Sequence, residues 1–247
     1  MRQAVKLFFL WMLASLMAYS SLISAQPSQT ENSEIPSAPD TGAPESDSSP
    51  GGTRIDKNST CKQTKKNLTS LLSIGDFTLS EYPTFWFYIP YYPEELKEIE
   101  FIVKDKNAEK LTIVYQDFIQ LTDRPGIVKI SIPSQSKYSL EIQKNYNWEL
   151  RVTCVSNLNN HPDIIIAGEI RRLPTDPELE KQLRTTESEK YLVYIDRYIY
   201  YDAVTHLASL YQSNPNNEQL KKDWENLLEL LGKKDLVDEP IVNAFPD

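Results

Sequence analysis

The stretch Ser80–Pro93, SEYPTFWFYIPYYP, carries seven aromatic residues in fourteen positions: Tyr82, Phe85, Trp86, Phe87, Tyr88, Tyr91 and Tyr92. Its centre alternates. Phe85, Phe87 and Ile89 fall on one face of an extended chain, and Trp86 and Tyr88 on the other. A strand here has no wet side. If the first set fills a β-sandwich, the second exposes roughly 300 to 500 Å² of ring surface unless another element lies over it. One reading is that a later segment covers these rings, and it is preferred because large aromatics are mostly interior. The other is an open platform of Trp86, Tyr88, Tyr91 and Tyr92 on which sugar rings or a peptide stack, stiffened by Pro83, Pro90 and Pro93.

Working outward, the neighbouring runs also alternate. FTL places Phe77 and Leu79 on one face; EIEFIVK sets Ile99, Phe101 and Val103 against Glu100 and Lys104; LTIVYQ gives Leu111, Ile113 and Tyr115; VKISI gives Val128, Ile130 and Ile132. WELRVTC puts Trp148, Leu150, Val152 and Cys154 on the apolar side, and DIIIAGEIRRL closes the series. Asp-Lys-Asn at 105–107 and Asp-Arg-Pro-Gly at 123–126 supply turns. About seven short strands at this spacing predict an antiparallel β-sandwich, followed by helices, in a mainly β plus α fold. Position 152 is Val and not Tyr, so the immunoglobulin marks are incomplete.

After Leu173 the period changes to that of a helix. Asp176 and Pro177 suit a helix start, and Thr186 with Glu189 form a potential capping box before KYLVYIDRYIYYDAVTHLASLYQ. NPNN at 214–217 breaks this helix. Leu220, Trp224, Leu227, Leu228 and Leu231 then recur at helical spacing until Gly232. The segment YYDAVTHLASLYQSNPNN resembles one tetratricopeptide repeat, through Ala203, Leu207, Leu210 and Pro215. A single such pair must dock on something else to bury its seam. Tyr191, Tyr194, Tyr198 and Tyr201, spaced three, four and three apart, predict a ring-lined side that meets Trp86 and Tyr88.

The ends and the charge set the compartment. Arg2 and Lys6 precede an apolar core from Leu7 to about Leu22 and a small-residue exit at Ala25. Residues 1–25 therefore read as a secretory signal, with an uncleaved anchor as the rival. Residues 26–60 read as a Pro/Ser-rich acidic linker without a fixed fold. The remaining boundaries are 61–173 for the sandwich and 174–247 for a helical region packed on it. The formal charge of −9 divides into +2 for residues 1–25, −5 for 26–53 and −6 for the rest. An acidic body repels phosphate backbones, which excludes nucleic acid as an expected partner.

Cys61 and Cys154 are the only cysteines. In an oxidising compartment each has only the other as an intramolecular partner, so a structural disulfide is expected. Neither C-x-x-C nor paired His spacing points to a metal or cofactor, and none is expected. His206 follows Asp202 by one helical turn, which reads as a helix-surface pair and not two thirds of a catalytic triad. His161 lies in a turn, NNHPD. No catalytic residue is assigned.

The strings FTLSEYPTFWFYIPY, PGIVKISIP, YNWELRVTC, AGEIRR and the late YYDAV resemble a cyanobacterial family known as domain of unknown function 928, over about Cys61 to Ile241. The resemblance implies an exported protein, supports the Cys61–Cys154 pairing, and carries no catalytic residues. The expectation is an exported, non-enzymatic protein of the periplasm or cell envelope that contacts another envelope protein. The alternative is a carbohydrate or peptidoglycan binder using the aromatic platform. Membrane contact is expected only through an uncleaved signal.

Overall fold

The computed structural model describes residues 52–72, 76–106, 112–159 and 161–246, all of which fall in one compact unit, 35–247. The signal expected at 1–25 and the linker up to residue 51 lie outside the described residues. The strands are β1 (Thr53–Ile55), β2 (Thr69–Ser70), β3 (Asp76–Thr78), β4 (Thr84–Ile89), β5 (Leu96–Asp105), β6 (Thr112–Leu121), β7 (Gly126–Ser131), β8 (Asn145–Cys154) and β9 (Ile164–Arg172). Helices α1 (Pro177–Thr185), α2 (Lys190–Asp196), α3 (Tyr200–Ser213) and α4 (Glu218–Leu230) follow, and β10 (Ile241–Val242) and β11 (Ala244–Pro246) close the chain.

These strands make two sheets. The larger runs β1-β9-β8-β5-β6-β11 with β3 beside β9, and the smaller runs β10-β7-β4-β2. Each of the seven alternating runs becomes a strand, and the β-sandwich followed by helices is the observed architecture. The pairing is mixed, however: β3 runs parallel to β9, and β10 parallel to β7. The domain limits shift as well. Thr53–Ile55 pairs with Ile164–Ile166, so fixed structure starts inside the expected linker. The expected helical region ends in strands that join both sheets, since β10 extends the small sheet beside β7 and β11 pairs with β6 of the large one. The chain after 173 is therefore built into the sandwich.

Between the sheets, Phe85 and Phe87 from β4 meet Phe101 from β5 at ring distances of 4.8 and 5.8 Å, and Trp148 from β8 at 6.2 and 5.5 Å. Two glycines permit close approach. A Cβ at Gly168 would stand 2.3 Å from the Trp148 ring, and one at Gly126 would stand 2.5 Å from the Pro240 carbonyl that leads into β10. Any side chain at these positions would displace the tryptophan or the last strand of the small sheet.

Two alternations differ from the sequence expectation. On β6 the register slips opposite Val103 and Lys104, so that Val103 faces Tyr115 and Lys104 faces Ile113. The extra residue turns Ile113 to solvent, 47% exposed, while Tyr115 stays buried. On β3 it is Thr78 that is buried, while Phe77 and Leu79 are partly exposed, because helix α3 takes a polar contact from Thr78.

The helical region obeys its caps. The Asp176 carboxylate accepts the Leu179 N–H at 2.8 Å, and Asn217 caps α4 through the Gln219 and Leu220 N–H groups. The Thr186 capping box does not form: its hydroxyl donates instead to the Gln182 carbonyl, ending α1. The long tyrosine helix is also broken. Tyr198 sits at φ +59 between α2 and α3, a conformation that costs an L-residue about 1 kcal/mol or more. That break turns the ring outward.

Candidate functional site

The aromatic strand is sealed on both sides. Trp86 is 2% exposed, Tyr88 5% and Tyr91 4%, while Tyr92 alone of the four rings expected on a platform is open, at 47%. The open-platform expectation is corrected accordingly, because the carboxy-terminal segment lies over the outer face of β4. Trp86 donates its indole N–H to the Thr205 hydroxyl of α3 at 3.0 Å, and its ring lies 6.5 Å from that of Trp224 on α4. Tyr88 is covered by the chain after α4. Burial, together with a hydrogen bond to Glu239, pushes its hydroxyl up to about 12.

The expected tyrosine stripe divides its work. Tyr201 reaches the sandwich interior, edge-on to Phe85 at 5.3 Å, and its hydroxyl accepts the Trp148 indole N–H at 2.9 Å. Tyr191 stays within the helices, donating to Asp223 at 2.6 Å. Tyr198 is exposed. The cover over Trp86 comes from Thr205 and Trp224, which the spacing of tyrosines did not single out.

Cys61 and Cys154 form a disulfide, with Cα atoms 5.2 Å apart. Beside it the Asp163 carboxylate accepts N–H groups from Thr60 at 2.6 Å and Cys154 at 2.9 Å, and the Asn157 side-chain amide at 2.8 Å. Burial works to raise the Asp163 pKa, but the N–H donors outweigh it and hold the carboxyl below its usual value. Cys61, Cys154 and Asp163 bring their ligand atoms within 4.8 Å of one another. The sulfurs are spent in the bond and the carboxylate in its donors, so this cluster is a structural clasp.

A cavity of about 350 Å³ opens where α2 and α3 meet the β3–β4 connection. Thr78, Ser80, Tyr82, Tyr194, Asp202 and His206 are among its lining residues. Asp202 keeps slight solvent contact, yet its desolvated carboxyl is pushed up to about 6. It accepts the Leu79 N–H at 3.0 Å and a hydrogen bond from the Thr78 hydroxyl. Thus the Asp202–His206 pair is not a surface contact: the acid turns to β3 and its connection, while an imidazole N–H bonds to the Glu187 carbonyl. Burial and Lys190 lower the His206 pKa, and its Nδ1 is buried without a partner. The hydroxyl that follows on α3 is committed: Thr205 donates to the Tyr201 carbonyl at 2.7 Å while accepting from Trp86.

His161 lines two other clefts, at the outer face of the large sheet. That face is wet and charged. Glu149 pairs with Lys104 and Arg151, Arg151 reaches Glu100 at 3.1 Å, and Glu100 accepts from Gln116. Ile102 is buried on this face, and Phe118 and Ile113 stand exposed along β6.

Compared with known proteins, residues 49–241 match the family model described as Domain of Unknown Function (DUF928). No curated protein matches the chain.

Proposed function

We propose, for a chain that belongs to the DUF928 family, a role as an exported, non-enzymatic protein of the cell envelope that works by contact with another envelope protein. The observation that carries this reading is the closed Cys61–Cys154 bond, held by the Asp163 clasp. Structural disulfides persist in oxidising compartments, and the leader-like residues 1–25 supply a route to one. A cyanobacterial periplasm is the setting that fits the resemblance. Among the described residues no helix is long and apolar enough to cross a membrane; in this reading, membrane contact runs through residues 1–25 where they stay uncleaved.

The contact surface assigned here is the outer face of β5, β6 and β8. Phe118 and Ile113 stand beside the Lys104–Glu149–Arg151–Glu100 network. Exposed apolar side chains within a polar rim are the composition of a protein interface. A glycan reading ranks second, because Tyr92 is the one ring of the four that keeps an open face.

The test is cross-linked capture from an envelope extract with the full chain as bait, beside Ile113→Asp/Phe118→Asp. The expected result is a partner retained by wild type and lost by the double variant. Identical captures would remove this face from the proposal. Saturable binding of an envelope glycan that Tyr92→Ala abolishes would put the second reading first.

A further inference from the structure

The cavity between α3 and the β3–β4 connection is chemically specific, and the contact reading makes no use of it. Its lining contains one carboxylate, three tyrosines and several hydroxyls, with neither Lys nor Arg. A carboxylate offers about four acceptor positions. The Leu79 N–H and the Thr78 hydroxyl occupy two of them on Asp202. It therefore retains acceptor capacity at the wall of a space the size of a small organic molecule. A desolvated carboxylate without a counter-charge is costly, and a bound cation relieves that cost. Ring-lined walls add attraction for the same charge.

We infer that this cavity binds a small organic ammonium ion, paired with the Asp202 carboxylate and packed against Tyr194 and Tyr82. An anion has no counter-charge here, and a neutral sugar leaves the acid unpaired. This site is separate from the contact face on the large sheet, so either assignment can fail without the other.

Binding is coupled to protons. The Asp202 carboxyl, pushed up to about 6 by burial, is largely protonated at pH 5 and ionised at pH 7.5. The titratable groups around it are Tyr194, Tyr201, Tyr82 and His206. Beyond them stand Lys190 and Glu187 near His206, and Glu81 and Arg172 near Tyr82. Protonation of His206 at low pH acts in the same direction, since it also repels a cation.

The experiment is a calorimetric or NMR titration of the full chain with tetramethylammonium and ethanolammonium chlorides. N-acetylglucosamine serves as the neutral comparator, and NaCl holds the ionic strength. Expected at pH 7.5 is saturable ammonium binding in roughly the millimolar range, about tenfold weaker at pH 5, and none for the sugar. Asp202→Asn should lose the binding and its pH dependence. Ser209→Arg, which places a guanidinium at an exposed lining position, should abolish binding in a chain whose fold is undisturbed. The proposal is overturned if neither ammonium saturates, if Ser209→Arg binds like wild type, or if the sugar binds as well as the ammonium ions.

Discussion

Strands β4 and β6 both alternate apolar residues, yet they meet opposite fates. In β4 both faces are enclosed, Phe85 and Phe87 by the large sheet and Trp86 and Tyr88 by the helices and the chain behind them. In β6 one face stays in water, and a slip of register even turns Ile113 outward. The difference lies in what opposes each residue. Aromatic rings on both faces demand a second cover, whereas an outer face that carries Glu100, Lys104 and Arg151 next door can tolerate a lone Ile or Phe. The sealed strand is the structural spine and the wet strand is the surface available for contact.

Four experiments sharpen or break that contrast. The largest effect should come from the clasp that closes the sealed half. The Cys61–Cys154 bond spans 93 residues, and replacing both with Ser should lower stability by about 4 to 5 kcal/mol in the chain-entropy model. Paired denaturant melts of oxidised wild type and the double variant measure it; a loss near zero would mean that the Asp163 bonds alone hold these segments together.

Next in size is the sealed ring itself. Trp86→Ala leaves a cavity beneath Thr205 and Trp224 and should cost about 3 to 5 kcal/mol. A cost under about 0.5 kcal/mol, the range of surface positions, would show that the helices do not seal β4.

The third experiment reads the edge of that seal through protons. Folded Asp202 holds its proton up to about pH 6, whereas its ordinary value is 3.8. Between those values the folded chain binds a proton that the unfolded chain has released. This contribution is complete below pH 3.8 and lost as pH rises through 6. Asp202→Asn lacks this contribution, so its stability relative to wild type should improve by about 2 to 3 kcal/mol from pH 4 to pH 7. Melts of both chains across that range check it, and a difference that does not vary with pH would place the carboxyl in water.

The smallest effect belongs to the wet strand. Phe118→Ser should change stability by no more than about 0.5 kcal/mol, although Phe118 is as aromatic as Phe87. A cost similar to that of Trp86→Ala would erase the distinction between the strands.

Much of the sealed half was legible in the sequence. The alternation around Phe85–Ile89 and Trp148–Cys154 reports which side chains share a face, and two cysteines allow one bridge. The helix break at Tyr198 was not legible, since Ile195 to Tyr200, IDRYIY, contains neither Gly nor Pro to mark it. Ile195 and Ile199, on either side of the left-handed Tyr198, are both buried. Nor could local spacing find the parallel pairings of β3 and β10, which depend on contacts across the whole chain. The Asp202 cavity was half visible: the spacing of Asp202 and His206 marks a helical pair, but the partners of the acid, Thr78 and Leu79, lie more than a hundred positions earlier.

The most direct test uses the tryptophans themselves. A chain lacking residues 1–25 contains Trp86, Trp148 and Trp224, and all three are buried. Iodide quenching of that chain should leave nearly all emission intact, with a blue-shifted maximum, until denaturant exposes the rings. Ready quenching and red-shifted emission in the native state would contradict the enclosure of the aromatic strand, and with it the account of a protein that works through its outer surface.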